Sequence, residues 1–341
     1  MDRDQLTNSP VIKTIDFNSA RDFLEVLRRS NPLWKGKTDI DNRWVFRGQG
    51  DAKWKLQPSA FRPQERGKKT LRDKYIALLQ RQYRNSNTDW LKWVGLQAEA
   101  PQGVTAAEWQ DRVGKTAIQA LAHAKVVRDF VLLADSAGHR VRHPKILWHL
   151  EDDQGSSLNK LFNGTTKMHP LFAIAQHHGV PTGLLDWTYN PLVAAYFAAE
   201  KPQGKEIAVW ALNLDIVVKP DIYLRRLTVP PQKIPFLDAQ EGLFVWCPQA
   251  YLIHLREGCF PTLESMVELS AQDLKLDMLP GPFLYKLTLP TSEAIDILRL
   301  LWREKVSPAH LMPTFDNITR ALEMQIELSP DLYGLRDLFI N

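Results

Sequence analysis

Cysteine is almost missing from this chain. Its 341 residues include only Cys247 and Cys259, with no Cys-x-x-Cys spacing. That excludes a disulfide framework and a zinc knuckle. No apolar run approaches the roughly 18 residues that a membrane-spanning helix needs. The start, Met1-Asp2-Arg3-Asp4-Gln5, lacks the apolar core of a signal peptide, so a cytoplasmic protein with no membrane partner is expected. There is no Gly-x-Ser-x-Gly elbow, no Walker A loop and no Gly-x-Gly-x-x-Gly turn. Phe46-Arg47-Gly48-Gln49-Gly50 is too short for a phosphate cradle and places Arg where small residues are required. Internal repeats and low-complexity tracts are also absent.

What remains is an ordinary globular composition, 44% hydrophobic and 24% charged, enough for one large core or two small ones. The net charge of +4 is small but unevenly spread. Eight basic residues fall within 62–84 against Glu65 and Asp73, and a second basic stretch runs over 112–145 with His123, His139 and His143. Such stretches serve either as solvated helix faces or as contacts to nucleic-acid phosphates.

Apolar spacing predicts helices over 18–30 and from Leu71 to Tyr83. Thr105-Ala106-Ala107-Glu108 has the form of a capping box, so a long helix should follow and end near Gly138. Pro170 and Gly179 bracket a short helix carrying Gln176, His177 and His178. Asn190-Pro191 opens another, and 294–304 and 315–328 are two more. Short strands are expected at 43–47, 182–188, 207–212, 222–227, 243–246, 251–255 and 283–289. The polar stretch 152–166 reads as a loop. The class is α+β with short, mostly antiparallel strands.

The chemistry concentrates in three segments. In the first, Arg47 stands at a strand end between Phe46 and Gly48, followed by Gln49. A guanidinium there can grip phosphate or carboxylate, with glycine leaving room for the ligand, or it can clamp Asp186. In the second, Asp186 lies on a strand between Leu185 and Trp187, with Thr182 and Thr188 at the ends. Burial of that carboxylate would call for Arg47 as its partner. His177 and His178 are adjacent, so they point apart and do not form the i, i+4 pair of a metal site; no metal is expected. In the third, Gln240 and Glu241 precede a strand, and alternation allows only one of them to face a cleft. Glu241 is the better general base.

Trp44–Arg62, Gln176–Phe197, Ala239–Phe244 and Val306–Ile318, in that order, resemble the FRG family, named for its Phe-Arg-Gly signature. The resemblance spans 17–328, with 1–16 and 329–341 as tails and 85–165 as an enlarged helical insertion. The same order is similar to ADP-ribosyltransferases of the Arg-Ser-Glu type, which implies a split or half-barrel sheet and NAD as ligand. Carried over, Arg47 binds the dinucleotide with help from Phe46, Gly48, Gln49, His178, Thr182 and Trp187. Asp186 and Thr188 frame the pocket, and Gln240 or Glu241 takes the late acidic position, so Asp186, Gln240 and Glu241 are the candidate catalytic residues. This chain departs from the pattern in having Asp-Trp-Thr for Ser-Thr-Ser, no clean Glu-x-Glu, and Gly183 where Arg is expected. The implied role is a nucleotide-binding effector in toxin or antiphage defence. A non-catalytic module for nucleic acid or a protein partner is the alternative, and a metal-dependent hydrolase using His178 and Asp186 is a third reading.

Overall fold

The computed structural model describes residues 11–35, 38, 43–63, 69–84, 88–95, 100–139, 170–217, 223–229, 239–273 and 282–329. The predicted loop at 152–166 and most of the C-terminal tail lie outside these.

One seven-stranded sheet organises the chain. Its strands are β1 (Ile12–Asp16), β2 (Trp44–Gln49), β3 (Leu184–Thr188), β4 (Glu206–Asn213), β5 (Arg225–Leu227), β6 (Gly242–Trp246) and β7 (Leu284–Pro290), in the spatial order β1-β7-β4-β2-β3-β6-β5. Only β1 and β7 run parallel; the other neighbours are antiparallel. The α+β expectation therefore holds.

The helices are α1 (Ala20–Val26), α2 (Leu71–Tyr83), α3 (Trp90–Val94), α4 (Ala106–Ser136), α5 (Pro170–His177), α6 (Pro191–Ala199), α7 (Ala250–Glu257), α8 (Leu263–Asp273), α9 (Ala294–Arg303), α10 (Pro308–Leu311) and α11 (Phe315–Leu328). Both capping boxes work: Thr70 with Asp73 starts α2, and Thr105 with Glu108 starts the 31-residue α4. Each satisfies two backbone donors that a helix start leaves bare.

Three expectations are corrected. Residues 12–16 are not tail but an edge strand, held by its ladder to β7. Residues 251–255 are helix rather than strand, because the segment runs on through Arg256 to a left-handed Gly258 that caps it. And α8, which was not expected, closes one face of the sheet.

The core arrangement sets up the site. On one face, α1, α6 and α9 pack over β2, β4 and β7. On that face the other half of the sheet has its own cluster, in which Ala173 of α5 meets Leu184, Phe244 and Trp246. On the opposite face a single core crosses both halves, from Val45 and Trp210 to Leu185, Trp187 and Val245. The break on the first face coincides with a break in the ladder. β2 and β3 share one register pair, Phe46 with Thr188, and then part. In a continued antiparallel register Gly48 would face Asp186.

α2, α3 and α4 form a helical layer of their own. It docks on α7 and on the turn at Ala60 and Phe61. Tyr75 of α2 donates to Asp129 of α4 at 2.8 Å, and burial with that carboxylate pushes the phenol up to about 12.

Candidate functional site

Strand alternation separates the members of the Phe-Arg-Gly-Gln segment. Phe46 is 2% exposed and stands edge-on to Trp34. A Cβ on Gly48 would sit 2.0 Å from the Ala194 carbonyl oxygen and 2.6 Å from the Ala198 nitrogen. This glycine therefore lets α6 lie directly on β2, rather than opening space for a ligand. Gln49 is 4% exposed and accepts a 2.8 Å bond from the Trp210 indole. Phe46, Gly48 and Gln49 each thus have a packing role in the sheet.

Arg47 is different. Its guanidinium crosses the opening where β2 and β3 separate. Nη1 donates to the Asp186 carbonyl oxygen at 2.8 Å and to the Asp186 carboxylate at 3.3 Å. The side chain is 16% exposed, and its Nε is buried without a hydrogen-bond partner. A buried charged group with an unused donor is a costly arrangement, and an incoming acceptor would relieve it.

Asp186 does pair with Arg47, but it is not buried; its side chain is 57% exposed. The strand alternates so that Leu185 and Trp187 enter the continuous core while Asp186 points the other way. Trp187, at 3% exposure, belongs to that core. The other Asp186 oxygen accepts from Gln176 Nε2 at 2.7 Å. Gln176 in turn accepts from the Thr182 hydroxyl, which also accepts from Leu184 N at 3.2 Å. Thr182 is tied to the Ser59–Phe61 turn, donating its N–H to Ser59 Oγ at 3.2 Å and accepting from Ala60 N at 3.1 Å. Thr182 is therefore a strut that aligns Gln176.

That turn carries a second guanidinium that the sequence did not single out for the site. Arg62 donates through Nε to the Gln57 carbonyl at 3.0 Å. Its pKa is lowered, first by burial and then by the charge of Arg47, with Asp186 opposing. The site thus holds two arginines and one carboxylate within electrostatic reach.

Of the two histidines, His177 senses Asp186. Its pKa is lowered by burial and by His178, against the pull of Asp186. His178 instead stacks on Phe130, with ring centroids 5.9 Å apart. Among the described residues no group of three or more His, Cys, Asp or Glu side chains could hold a metal ion.

Gln240 and Glu241 form a second cluster at the far end of β3. Thr188 Oγ1 donates to the Gln240 carbonyl at 2.5 Å and accepts from Asn190 N at 2.9 Å. Asn190 caps α6 through Leu192 N at 3.1 Å, as expected. The Gln240 amide donates to the Leu311 carbonyl at 3.4 Å, tying the turn to the segment at 306–318. Glu241 takes a left-handed φ of 48°, unusual for a side-chain-bearing residue, and its carboxylate meets Arg29 and the Asn190 amide. Its backbone oxygen receives Tyr189 N at 3.0 Å. Three residue steps of extended chain separate Asp186 from Tyr189, about 10 Å.

A family model described as FRG domain matches residues 135–206. The chain carries an FRG domain. The match takes in α5, β3 and α6, hence Gln176, His177, Thr182, Asp186 and Thr188. The segments at 44–62, 239–244 and 306–318 lie outside it. Matching begins at residue 135, so the FRG stretch includes the end of what was read as an insertion. No curated protein and no solved structure matches the chain.

Gly183, where the family pattern led us to expect Arg, has its own explanation. A Cβ there would lie 2.9 Å from the Phe61 ring, which is stacked on Phe260 at 4.3 Å.

The basic stretches are partly internal. Arg72 is buried and donates to the Ala60 and Arg62 carbonyls, both at 2.7 Å, while meeting Asp73. Arg128 pairs with Asp129, and Lys115 with Asp111. His123 is buried against the Tyr251 hydroxyl, 2.8 Å from Nδ1. Among the described residues no helix is long and apolar enough to cross a membrane.

Proposed function

We propose that this chain is an ADP-ribosyltransferase-like domain that takes NAD or a related nucleotide at the seam between β2 and β3. The supporting observation is Arg47: a mostly buried guanidinium, lodged where the sheet opens, with Nε unpaired. An anionic phosphate oxygen would satisfy it in a way that the single 3.3 Å carboxylate contact does not. In this reading Arg47 holds the phosphates, and Asp186 and Gln176 border them. Glu241 is the late acid that orients the ribose, set by the Thr188–Gln240 contact. NAD would supply a glycosidic bond to nicotinamide as the bond to be broken. Loss of cellular NAD is the route by which such a domain would act as a toxin or antiphage effector.

The test is calorimetric titration with NAD alongside an assay for released nicotinamide. Arg47→Ala should abolish binding. Glu241→Gln should keep binding and lose release. Unchanged binding and turnover in Arg47→Ala would overturn the assignment.

A binding module without turnover is the second reading, favoured by one observation: the Glu241 carboxylate is already engaged by Arg29. NAD binding with no release of nicotinamide, in the wild type and in Arg29→Ala alike, would select it. Its nucleic-acid version requires binding that weakens steeply with salt.

A further inference from the structure

Asp186 occupies a contradictory position for a structural residue. Its carboxylate is more than half exposed, yet it sits on an arginine that the fold has mostly buried. Its carboxylate bond to Arg47 is the longer of the pair, 3.3 Å, while the 2.8 Å bond goes to its backbone oxygen. The backbone bond alone would hold Arg47 across the seam. The carboxylate adds charge neutralisation and little geometry. On its other side it leans on Gln176, a neutral donor that would serve a ligand oxygen equally well.

Arg62 completes the arrangement. It follows directly on the Ser59–Phe61 turn, which Thr182 fastens to Gln176. Its backbone oxygen is fixed by Arg72 at 2.7 Å, and its Nε is spent on Gln57 at 3.0 Å. Among the described residues no acceptor is paired with its terminal amino groups. Arg47 and Asp186 are both charges that it feels. Arg47 thus contacts the exposed Asp186 carboxylate directly, and Arg62 stands on the turn that Thr182 ties to Gln176, the other partner of that carboxylate.

We propose that Asp186 is an internal stand-in for an anionic ligand, and that Arg47 and Arg62 together take a diphosphate once Asp186 releases them. In this proposal a monophosphate satisfies one arm and a diphosphate engages both. The inference rests on the anion-binding part of the reading above, but does not depend on NAD or on turnover. Ligand arrival exchanges one counter-ion for another, so Asp186 lowers affinity and discriminates against weak, singly charged anions. Removing its charge while keeping its shape should strengthen binding, the opposite of what removing a positioning residue does.

The experiment is titration calorimetry of the full chain with pyrophosphate, orthophosphate and NAD, on wild type, Asp186→Asn, Arg62→Gln, Arg62→Lys and Arg47→Lys. Circular dichroism and thermal melting check the fold of each. Asp186→Asn should bind pyrophosphate about 3- to 10-fold more tightly. Arg62→Gln should weaken pyrophosphate about tenfold and orthophosphate by much less, with Arg62→Lys between. Weaker or unchanged binding in a folded Asp186→Asn would overturn the stand-in role. Equal loss for both anions, or none, in Arg62→Gln would overturn the second arm. No pyrophosphate binding to either wild type or Asp186→Asn would overturn the whole proposal. Pyrophosphate binding with these responses but no NAD binding would leave the proposal standing and remove NAD as the ligand.

Discussion

The Arg47 side chain does for Asp186 what the backbone of Gly48 would do in an unbroken ladder. Past the Phe46–Thr188 pair the strands diverge, and the Asp186 carbonyl oxygen, which loses its strand partner, receives Arg47 Nη1 at 2.8 Å instead. One residue thereby closes the seam and keeps a buried, unpaired charged donor within it. Arg47→Ala should lose anion binding and also about 1–3 kcal/mol of stability, since a charged hydrogen bond is removed and the carbonyl is left to water. Urea unfolding of the variant checks the second part; full stability would mean that the seam closes without the guanidinium.

Gly48→Ala should be more damaging than any role in ligand binding would require. The added methyl collides with α6 backbone at 2.0 Å, and backbone cannot swing aside like a side chain. A loss of at least about 2 kcal/mol is expected. A variant as stable as wild type would show that α6 can lift off β2.

His123 makes stability depend on pH. Burial, and then the charge of Arg72, pushes its pKa down to about 3, while the unfolded imidazole titrates near 6.5. Between these values the unfolded chain binds a proton that the folded chain refuses. Stability therefore falls as pH drops from about 6.5 towards 3 and gains nothing from this group above 6.5. His123→Asn should flatten that dependence by up to one proton's worth of slope in denaturant titrations at pH 7 and pH 4.5. An identical slope would mean that the imidazole is protonated in place.

The two thiols should differ sharply. Burial pushes the Cys247 thiol up to about 12, and its sulfur lies 3.6 Å from that of Met266; Cys259 is exposed. At pH 8 a thiol reagent should label Cys259 and leave Cys247 untouched until denaturant is added. Fast modification of both would mean that the Cys247 region opens readily.

Much of this was legible in the sequence because it rests on short-range rules. Thr105 with Glu108, Asn190 before Pro191 and the alternation around Asp186 each fix a local geometry that the structure repeats. The pairing of Arg47 with Asp186 was also within reach, since a strand Arg and a strand Asp in one sheet are natural partners. What the sequence hid is set by distant neighbours. Gly48 has the signature of a ligand site but answers to a helix 146 residues further on at Ala194. Arg62 reads as one basic residue among eight, and it is the bonds of Ser59 and Ala60 to Thr182 that bring it to the site. The burial of Trp187 follows from a core that crosses the sheet, and that of Gln49 from its bond to Trp210 in the same core. Ile12–Asp16 looks like a tail because half of its pairing information sits in Leu284–Thr288.

The single rung between β2 and β3 inverts the usual map of a sheet. Slow amide exchange normally concentrates in central strands and fades towards the margins. Here a margin runs through the middle. Backbone groups turned towards the seam have no ladder partner beyond Phe46 and Thr188, while those turned towards β4 and β6 are fully laddered. Each of the two central strands thus has a sealed flank and an open one. The ladder is thus interrupted not at the rim but along a line where β-sheet proteins are ordinarily most closed.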